Sequence, residues 1–152
     1  MGATFNFGVF IGYAALSQPV IWPAVVPFYL GGILWTIVYD SIYAFQDREF
    51  DKKLGLNSTA IQMEHDPHRI LAGLSAASVA CFGIGGFAAG LAPAYYFGLT
   101  GVAAHYAWQI KTLDVDDRQN CWDRFQANRW LGLILLGAIM AGRSGHTKEE
   151  KS

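Results

Sequence analysis

The chain has 152 residues, of which 53% are hydrophobic and only 15% are charged, and its formal net charge is −1. This composition excludes a disordered chain, and the near-neutral charge leaves no basic footprint for nucleic acid. The charged residues fall into three blocks, at 40–69, 111–129 and 143–152, with none elsewhere. Because a soluble domain needs polar faces along its whole length, this distribution predicts a protein embedded in the lipid bilayer.

The uncharged stretches between these blocks have the length of membrane spans. A transmembrane helix needs about 20 consecutive apolar residues. Five candidate spans follow in chain order, at about 4–18, 22–47, 68–91, 94–112 and 121–142. They predict an all-α, polytopic transmembrane helix bundle that forms one domain over 1–142. The polar residues 143–152 are predicted to be a solvated, frayed tail.

The basic residues give the bundle an orientation. Counting crossings places the loops 47–67 and 111–120 on the same side of the bilayer. Eight of the eleven Lys and Arg residues belong to that side. The positive-inside rule makes it the cytoplasmic side, or the matrix side in a mitochondrion.

Three carboxylates mark the end of the second span. Asp40, Asp47 and Asp51 are spaced i, i+7, i+11, which in an uninterrupted helix puts them on one face. Tyr43 belongs to a neighbouring stripe on the same helix. Asp40 sits at the membrane boundary, where an ionisable group is costly and is a candidate functional residue by default.

Two interpretations of this acidic end stay open on the spacing alone. Carboxylates on one face repel each other unless a cation joins them, and Mg²⁺ prefers hard oxygen ligands, often one or two carboxylates together with substrate phosphates. The alternative is a solvated helix end whose acids pair with Arg48, Lys52 and Lys53.

Several other polar residues favour structural roles. Cys81 and Cys121 lack the spacing of a metal site and are predicted to be free thiols. The segment His65–His68 could suggest a metal pair, but the proline within it favours a loop in which Asp66 caps the next helix.

Two polar pairs fall within the last two predicted helices. His105 and Gln109 are one turn apart in an uncharged helix, which favours a hydrogen bond between helices over catalysis. Asn128 and Arg129 open the last apolar run, either as interfacial anchors or as contributors to a charged cap.

The acidic segment also resembles a known family motif. The matching pattern is Tyr39-Asp40-x-x-Tyr43-Ala44-x-x-Asp47-x-x-x-Asp51-x-x-x-Gly55-x-x-Ser58-Thr59-Ala60. A second block is His105-x-x-Trp108-Gln109-x-x-Thr112-x-Asp114, followed by Asn120 to Gly132. Together they resemble the UbiA superfamily of intramembrane prenyltransferases, and within it the mitochondrial-type 4-hydroxybenzoate polyprenyltransferases of ubiquinone biosynthesis.

The resemblance implies a nine-helix bundle in which two aspartate-rich motifs bind a polyprenyl diphosphate through Mg²⁺. Asp47 and Asp51 match the family's metal-binding positions, Asp40 and Tyr43 are assigned as catalytic helpers, and Lys53 as a contact to the diphosphate. The motif Asn-Asp-x-x-Asp-x-x-x-Asp is not found in this sequence. We therefore expect the five predicted helices to correspond to the family's last five, and the chain alone to be inactive.

The resemblance further implies that the polyprenyl group is transferred to 4-hydroxybenzoate. It also implies an integral protein of the mitochondrial inner membrane whose charged loops lie in the matrix. Other proteins of ubiquinone biosynthesis are then candidate partners. Asn57 departs from the pattern, since the family often has Lys or Arg there. Two rivals stay open. One is a prenyltransferase for another aromatic acceptor, such as homogentisate, and the other is a catalytically silent membrane fragment that only packs against partner helices.

Overall fold

The computed structural model describes residues 21–55 and 58–149, together with Gly8 and Ile11, and beyond Arg143 only the backbone. A 3-10 turn at Phe45–Asp47 follows the first helix directly. The α-helices are α1 Trp22–Ala44, α2 Arg48–Lys53, α3 Thr59–Gln62, α4 Pro67–Ala88, α5 Pro93–Lys111 and α6 Arg118–Glu149. Within these ranges there is no strand, which confirms the predicted all-α class.

Four predicted spans correspond to α1, α4, α5 and α6. Two helical stretches, Trp22–Lys53 and Pro67–Ala88, are long and apolar enough to cross a membrane. The span predicted at 4–18 lies outside the described residues, apart from Gly8 and Ile11. The backbone of α6 stays helical to Glu149, so helix extends into the segment predicted to be a frayed tail.

Proline and glycine set the helix boundaries. Each of α1, α4 and α5 has a proline in its first two positions, where the missing N–H costs no helical hydrogen bond. Gly90 ends α4 with a φ of +66°, and the Leu91 N–H donates to the Gly86 carbonyl 3.0 Å away. Asp66 occupies the predicted cap position of α4, but its carboxylate pairs with Arg69 at 3.1 Å and does not cap the helix.

The described helices pack as two pairs, α1 with α4 and α5 with α6, and α6 also contacts α1. Small residues bring the backbones close together. The Ser78 hydroxyl donates to the Gly31 carbonyl at 2.9 Å between α4 and α1. Gly98 of α5 lies against Ala138 of α6, where a side chain at position 98 would collide. The contact between α1 and α6 places the acidic end of α1 beside the start of α6.

Polar side chains fasten the charged end of the bundle. Gln109 is fully buried, and its Nε2 donates to the Arg124 carbonyl at 2.8 Å, which confirms the predicted hydrogen bond between helices. A ring nitrogen of His68 lies 3.1 Å from the Leu113 carbonyl, so this side chain connects α4 to the loop before α6. Cys81 and Cys121 are free thiols, as predicted.

Candidate functional site

A charged pocket lies at the junction of the 3-10 turn, α2 and the start of α6. Its volume is about 550 Å³. Both carboxylates and cations line it, and the full lining is Gln46, Asp47, Glu49, Phe50, Lys53 and Arg118. The pocket therefore combines carboxylate oxygens, which can hold a metal ion, with cations that suit an anionic ligand.

The 3-10 turn decides which acids reach this pocket. Asp47 ends the turn with φ −108° and ψ 8°, outside helical geometry, and the chain then re-enters helix at Arg48. The uninterrupted helix assumed from the spacing of Asp40, Asp47 and Asp51 is therefore wrong. Asp47 and Lys53 line the pocket, whereas Asp51 lies nearby on α2 and is not part of the lining.

Long-range ion pairs hold the pocket together. Arg118 Nη2 donates to Asp47 Oδ1 at 2.6 Å, across 71 positions of sequence. Arg48 Nη2 donates to Asp116 Oδ1 at 2.5 Å, and Lys52 pairs with Glu64. Arg48 and Lys52 thus have other partners than the predicted acids of the motif.

Arg118 is the residue that sequence reasoning missed. The sequence places it in the second charge block, and only the tertiary fold brings it to Asp47. Among the residues that the structure describes, Asp51 and Lys53 form no ion pair. Asn57, the departure from the family pattern, lies outside those residues.

The donor chemistry fits a divalent metal. Among the side chains that the structure describes within 21–55 and 58–143, no three His, Cys, Asp or Glu residues converge on one point. Asp47 nevertheless supplies hard carboxylate oxygens to the lining of a pocket with room for a ligand, and Asp51 is a further carboxylate on α2 outside that lining. Proteins typically hold Mg²⁺ with one or two carboxylates, and phosphates of the ligand complete the coordination of the metal ion.

A separate aromatic groove lies between α1 and α6, lined by residues that precede the charged pocket on α1 and follow it on α6. Tyr43 packs on Phe125 with ring centroids 5.1 Å apart, and Tyr39 packs on the same ring at 5.9 Å. Farther along α1, Trp35 contacts Tyr39 edge-on at 6.2 Å. Asp40 is half-buried on the same helix. The groove has a volume of about 440 Å³.

The far end of the groove carries a second feature that the sequence did not indicate. Asn128 is buried, and its Oδ1 accepts a hydrogen bond from Trp35 Nε1 at 3.0 Å. Asn128 Nδ2 donates to the Arg124 and Phe125 carbonyls of its own helix. Asn128 is therefore neither an interfacial anchor nor part of a charged cap, because its polar atoms are used in binding Trp35 and α6. Arg129 does line the groove.

The fold and the site together define an α-helical membrane protein with a metal- and anion-compatible pocket at one end of the bundle. The chain belongs to the UbiA prenyltransferase family, whose model matches residues 1–133.

Curated relatives agree with this assignment. The chain is 38% identical over 149 residues to the mitochondrial 4-hydroxybenzoate polyprenyltransferase of Bos taurus, covering 98% of this chain and 40% of the relative. It is 37% identical to the enzyme of the same name in Arabidopsis thaliana, over 95% of this chain and 35% of the relative. The Homo sapiens protein of that name is also 37% identical, over 93% and 38%. The chain thus spans about two fifths of the length of these relatives, and no solved structure matches it.

Proposed function

We propose that the chain contributes one half of the active site of a 4-hydroxybenzoate polyprenyltransferase of ubiquinone biosynthesis. The observation that carries this proposal is a pocket lined by Asp47, Lys53 and Arg118, with an aromatic groove next to it in order along α1 and α6. A polyprenyl diphosphate has the matching shape, with a polar anionic head and a long apolar tail. The names of the curated relatives supply the acceptor, 4-hydroxybenzoate.

The residues of the pocket divide into two roles. Asp47 and Asp51 would hold Mg²⁺, which when bound would supply Lewis-acid stabilisation of the leaving diphosphate. Lys53 and Arg118 contact the diphosphate directly, because their positive charges face the same pocket. Arg118 then exchanges its bond to Asp47 for bonds to phosphate oxygens.

The groove residues act on the reacting carbon. The bond between the allylic carbon and the diphosphate oxygen breaks, and the acceptor carbon ortho to the phenol bonds to that carbon and loses a proton. Tyr43, fixed on Phe125 at the mouth of the groove, presents its ring face to the positive charge that develops on the prenyl group. Asp40, half-buried between the aromatic groove and the pocket, orients the polar groups at this boundary.

The membrane setting follows from the same features. We place the protein in the mitochondrial inner membrane, with the pocket and the charged loops on the matrix side. The relatives' names support the mitochondrion, and the predominance of Lys and Arg in those loops supports the orientation. Other proteins of ubiquinone biosynthesis are candidate partners in that membrane.

The test is a segment exchange. The matching part of the Bos taurus relative is replaced by this chain, and the chimera is assayed for Mg²⁺-dependent prenylation of 4-hydroxybenzoate in membranes. We expect activity from the chimera, and a loss of about 100-fold or more in the Asp47→Ala and Asp51→Ala variants, because each removes a metal ligand. Glu149→Ala, an acid at the far end of α6, is the matched control and is expected to retain activity.

Two outcomes would replace this proposal. A chimera that prenylates homogentisate and not 4-hydroxybenzoate would assign a different acceptor. A chimera that is stably inserted yet inactive toward both acceptors would favour the catalytically silent membrane fragment.

The 152-residue chain alone is expected to show no turnover, since Asp47 and Asp51 would bind a diphosphate from one side only.

A further inference from the structure

Two cavities follow one another along the interface of α1 and α6. The first is the aromatic groove, which comes after the charged pocket in order along the two helices and is lined by Tyr39, Phe125 and Gly132 among others. The second lies beyond it, has a volume of about 530 Å³, and is lined mostly by apolar residues such as Phe28, Leu135 and Ile139. Trp35 belongs to the lining of both cavities.

The indole of Trp35 crosses the gap between the two helices. Its Nε1 donates to Asn128 Oδ1 on α6 at 3.0 Å. The far edge of the ring rests on the backbone at Gly132, where an added Cβ would lie 3.1 Å from Trp35 Cη2. A glycine at this position leaves room for the ring, and the hydrogen bond to a buried amide fixes its orientation.

The distance between the indole and the charged pocket determines how long a prenyl tail must be to contact Trp35. Trp35 precedes Asp47 by about three helical turns, which corresponds to a rise of about 18 Å along the helix. A prenyl chain whose diphosphate occupies the charged pocket therefore reaches the indole only if it contains several isoprene units. Shorter chains end within the aromatic groove.

We propose that Trp35 is a specificity-determining residue that divides the isoprenoid path into a near groove and a distal cavity, and so discriminates between donors by chain length. This inference rests on the proposed function, since the occupant is the tail of a polyprenyl diphosphate. With the indole in place, the distal cavity is closed to the tail. Removal of the indole joins the two cavities and adds apolar surface for long chains alone.

The test measures binding to the chimera in which this chain replaces the matching part of the Bos taurus relative, in nanodiscs with Mg²⁺ and no acceptor. The probes are geranyl diphosphate, which is too short to reach Trp35, and solanesyl diphosphate, which extends past it. In Trp35→Ala we expect the affinity for the long donor to rise by about fivefold or more, because newly buried methyl and methylene groups each add to the hydrophobic free energy of binding. The affinity for the short donor is expected to stay unchanged.

Three further variants test whether a change in affinity comes from opening the groove. Trp35→Phe retains a ring across the groove and is expected to keep the wild-type preference, whereas Trp35→Leu opens the groove with a smaller loss of packing and is expected to follow Trp35→Ala. Phe97→Ala removes an aromatic residue that is 83% exposed on α5, away from both cavities, and is expected to change neither affinity.

The outcomes separate the two proposals. If wild type binds both donors and the opened variants leave the ratio of their affinities unchanged, the role of Trp35 is overturned while the proposed function stands. If the chimera with Trp35 intact binds neither diphosphate, the proposed function and the inference fall together. A selective gain for the long donor in Trp35→Ala and Trp35→Leu supports the inference.

Discussion

At the residue scale, the pocket is organised by an ion pair that only the folded chain reveals. Asp47 is a candidate metal ligand, and in the structure one of its oxygens already accepts a hydrogen bond from Arg118. The guanidinium of Arg118 is largely exposed, with a side-chain accessibility of 74%. An exposed pair of this kind contributes at most about 1 kcal/mol to folding. Its placement in the pocket therefore points to ligand binding more than to stability.

This reasoning predicts a separation of activity from stability in the chimera. Arg118→Ala is expected to change the free energy of unfolding by less than about 1 kcal/mol. The same variant is expected to lower prenylation activity by about 10-fold or more, since it removes a charge-assisted contact to the diphosphate.

The matched control removes another arginine from an exposed pair. Arg69 pairs with Asp66 at the start of α4 and does not line the pocket. Arg69→Ala is expected to leave both activity and stability close to wild type. Equal losses of activity in the two variants, measured alongside thermal unfolding, would contradict a specific role for Arg118.

The residues of the site differ in how far the sequence could predict them. Asp47, Asp51 and Lys53 lie in one short segment, so the resemblance of that local segment to the family motif was sufficient to select them. Arg118 contacts Asp47, which is 71 positions away in sequence, and Asn128 contacts Trp35, which is 93 positions away. No local pattern encodes which distant side chain a residue meets, because that depends on how α1 and α6 pack. The hydrogen bond of Gln109 was predictable because a lone amide in an apolar helix has few other partners.

At the element scale, close helix contacts depend on glycines at particular positions. A Cβ at Gly98 would meet Ala138 well inside van der Waals distance, and helix α5 would have to move away from α6. At the neighbouring Gly137 on α6, a Cβ would have open space within 4 Å. A glycine-to-alanine substitution at these two positions therefore distinguishes the effect of helix packing from the effect of intrinsic helix propensity.

The same substitution at these two glycines is expected to have opposite effects. Gly98→Ala should lower the free energy of unfolding by about 1–3 kcal/mol through overpacking of α5 against α6. Gly137→Ala should raise it by up to about 1 kcal/mol, because alanine restricts the unfolded chain more than glycine does. Unfolding in mixed micelles measures both, and a neutral Gly98→Ala would contradict the close approach of the two helices.

A second prediction at this scale concerns the effect of low pH on the segment 58–66. The hydrogen bond from Lys52 lowers the pKa of Glu64, which follows α3. A lowered pKa means that the pair stabilises the fold above the ordinary pKa of glutamate and loses that contribution as the pH falls through the lowered value. We expect amide exchange over residues 58–66, corrected for intrinsic rates, to accelerate below about pH 4. In Glu64→Gln this acceleration should be absent, and an identical pH profile in both proteins would rule out the pair as its cause.

The sequence predicted the helices better than the links between them. Long uncharged runs and the prolines at their starts predict the first residues of α1, α4 and α5 to within one position, whereas the predicted ends of α1 and α4 lie three positions too late. The 3-10 turn at Phe45–Asp47 has no such signal, because its residues are all compatible with a continuing α-helix. The carboxylate of Asp66 was expected to cap α4 and instead pairs with Arg69, since the two interactions compete for the same oxygens.

At the scale of the whole molecule, polarity changes along the interface of α1 and α6. A charged pocket, an aromatic groove and a mostly apolar cavity follow one another from the end of the bundle with the charged loops toward its opposite end. This order matches the order of head and tail in a polyprenyl diphosphate. The chain spans about two fifths of the length of its curated relatives, so in our proposal the first aspartate-rich motif and the acceptor contacts come from the remaining part of such an enzyme.

The central claim is that Asp47 grips a diphosphate through a divalent cation. Its most direct test is equilibrium binding of a non-reactive prenyl thiodiphosphate to the chimera, with Mg²⁺ or with a chelator. We predict that chelation weakens binding by about 10-fold or more, and that Asp47→Asn does so to a similar extent even when Mg²⁺ is present. Equal affinities in all three conditions would contradict the account.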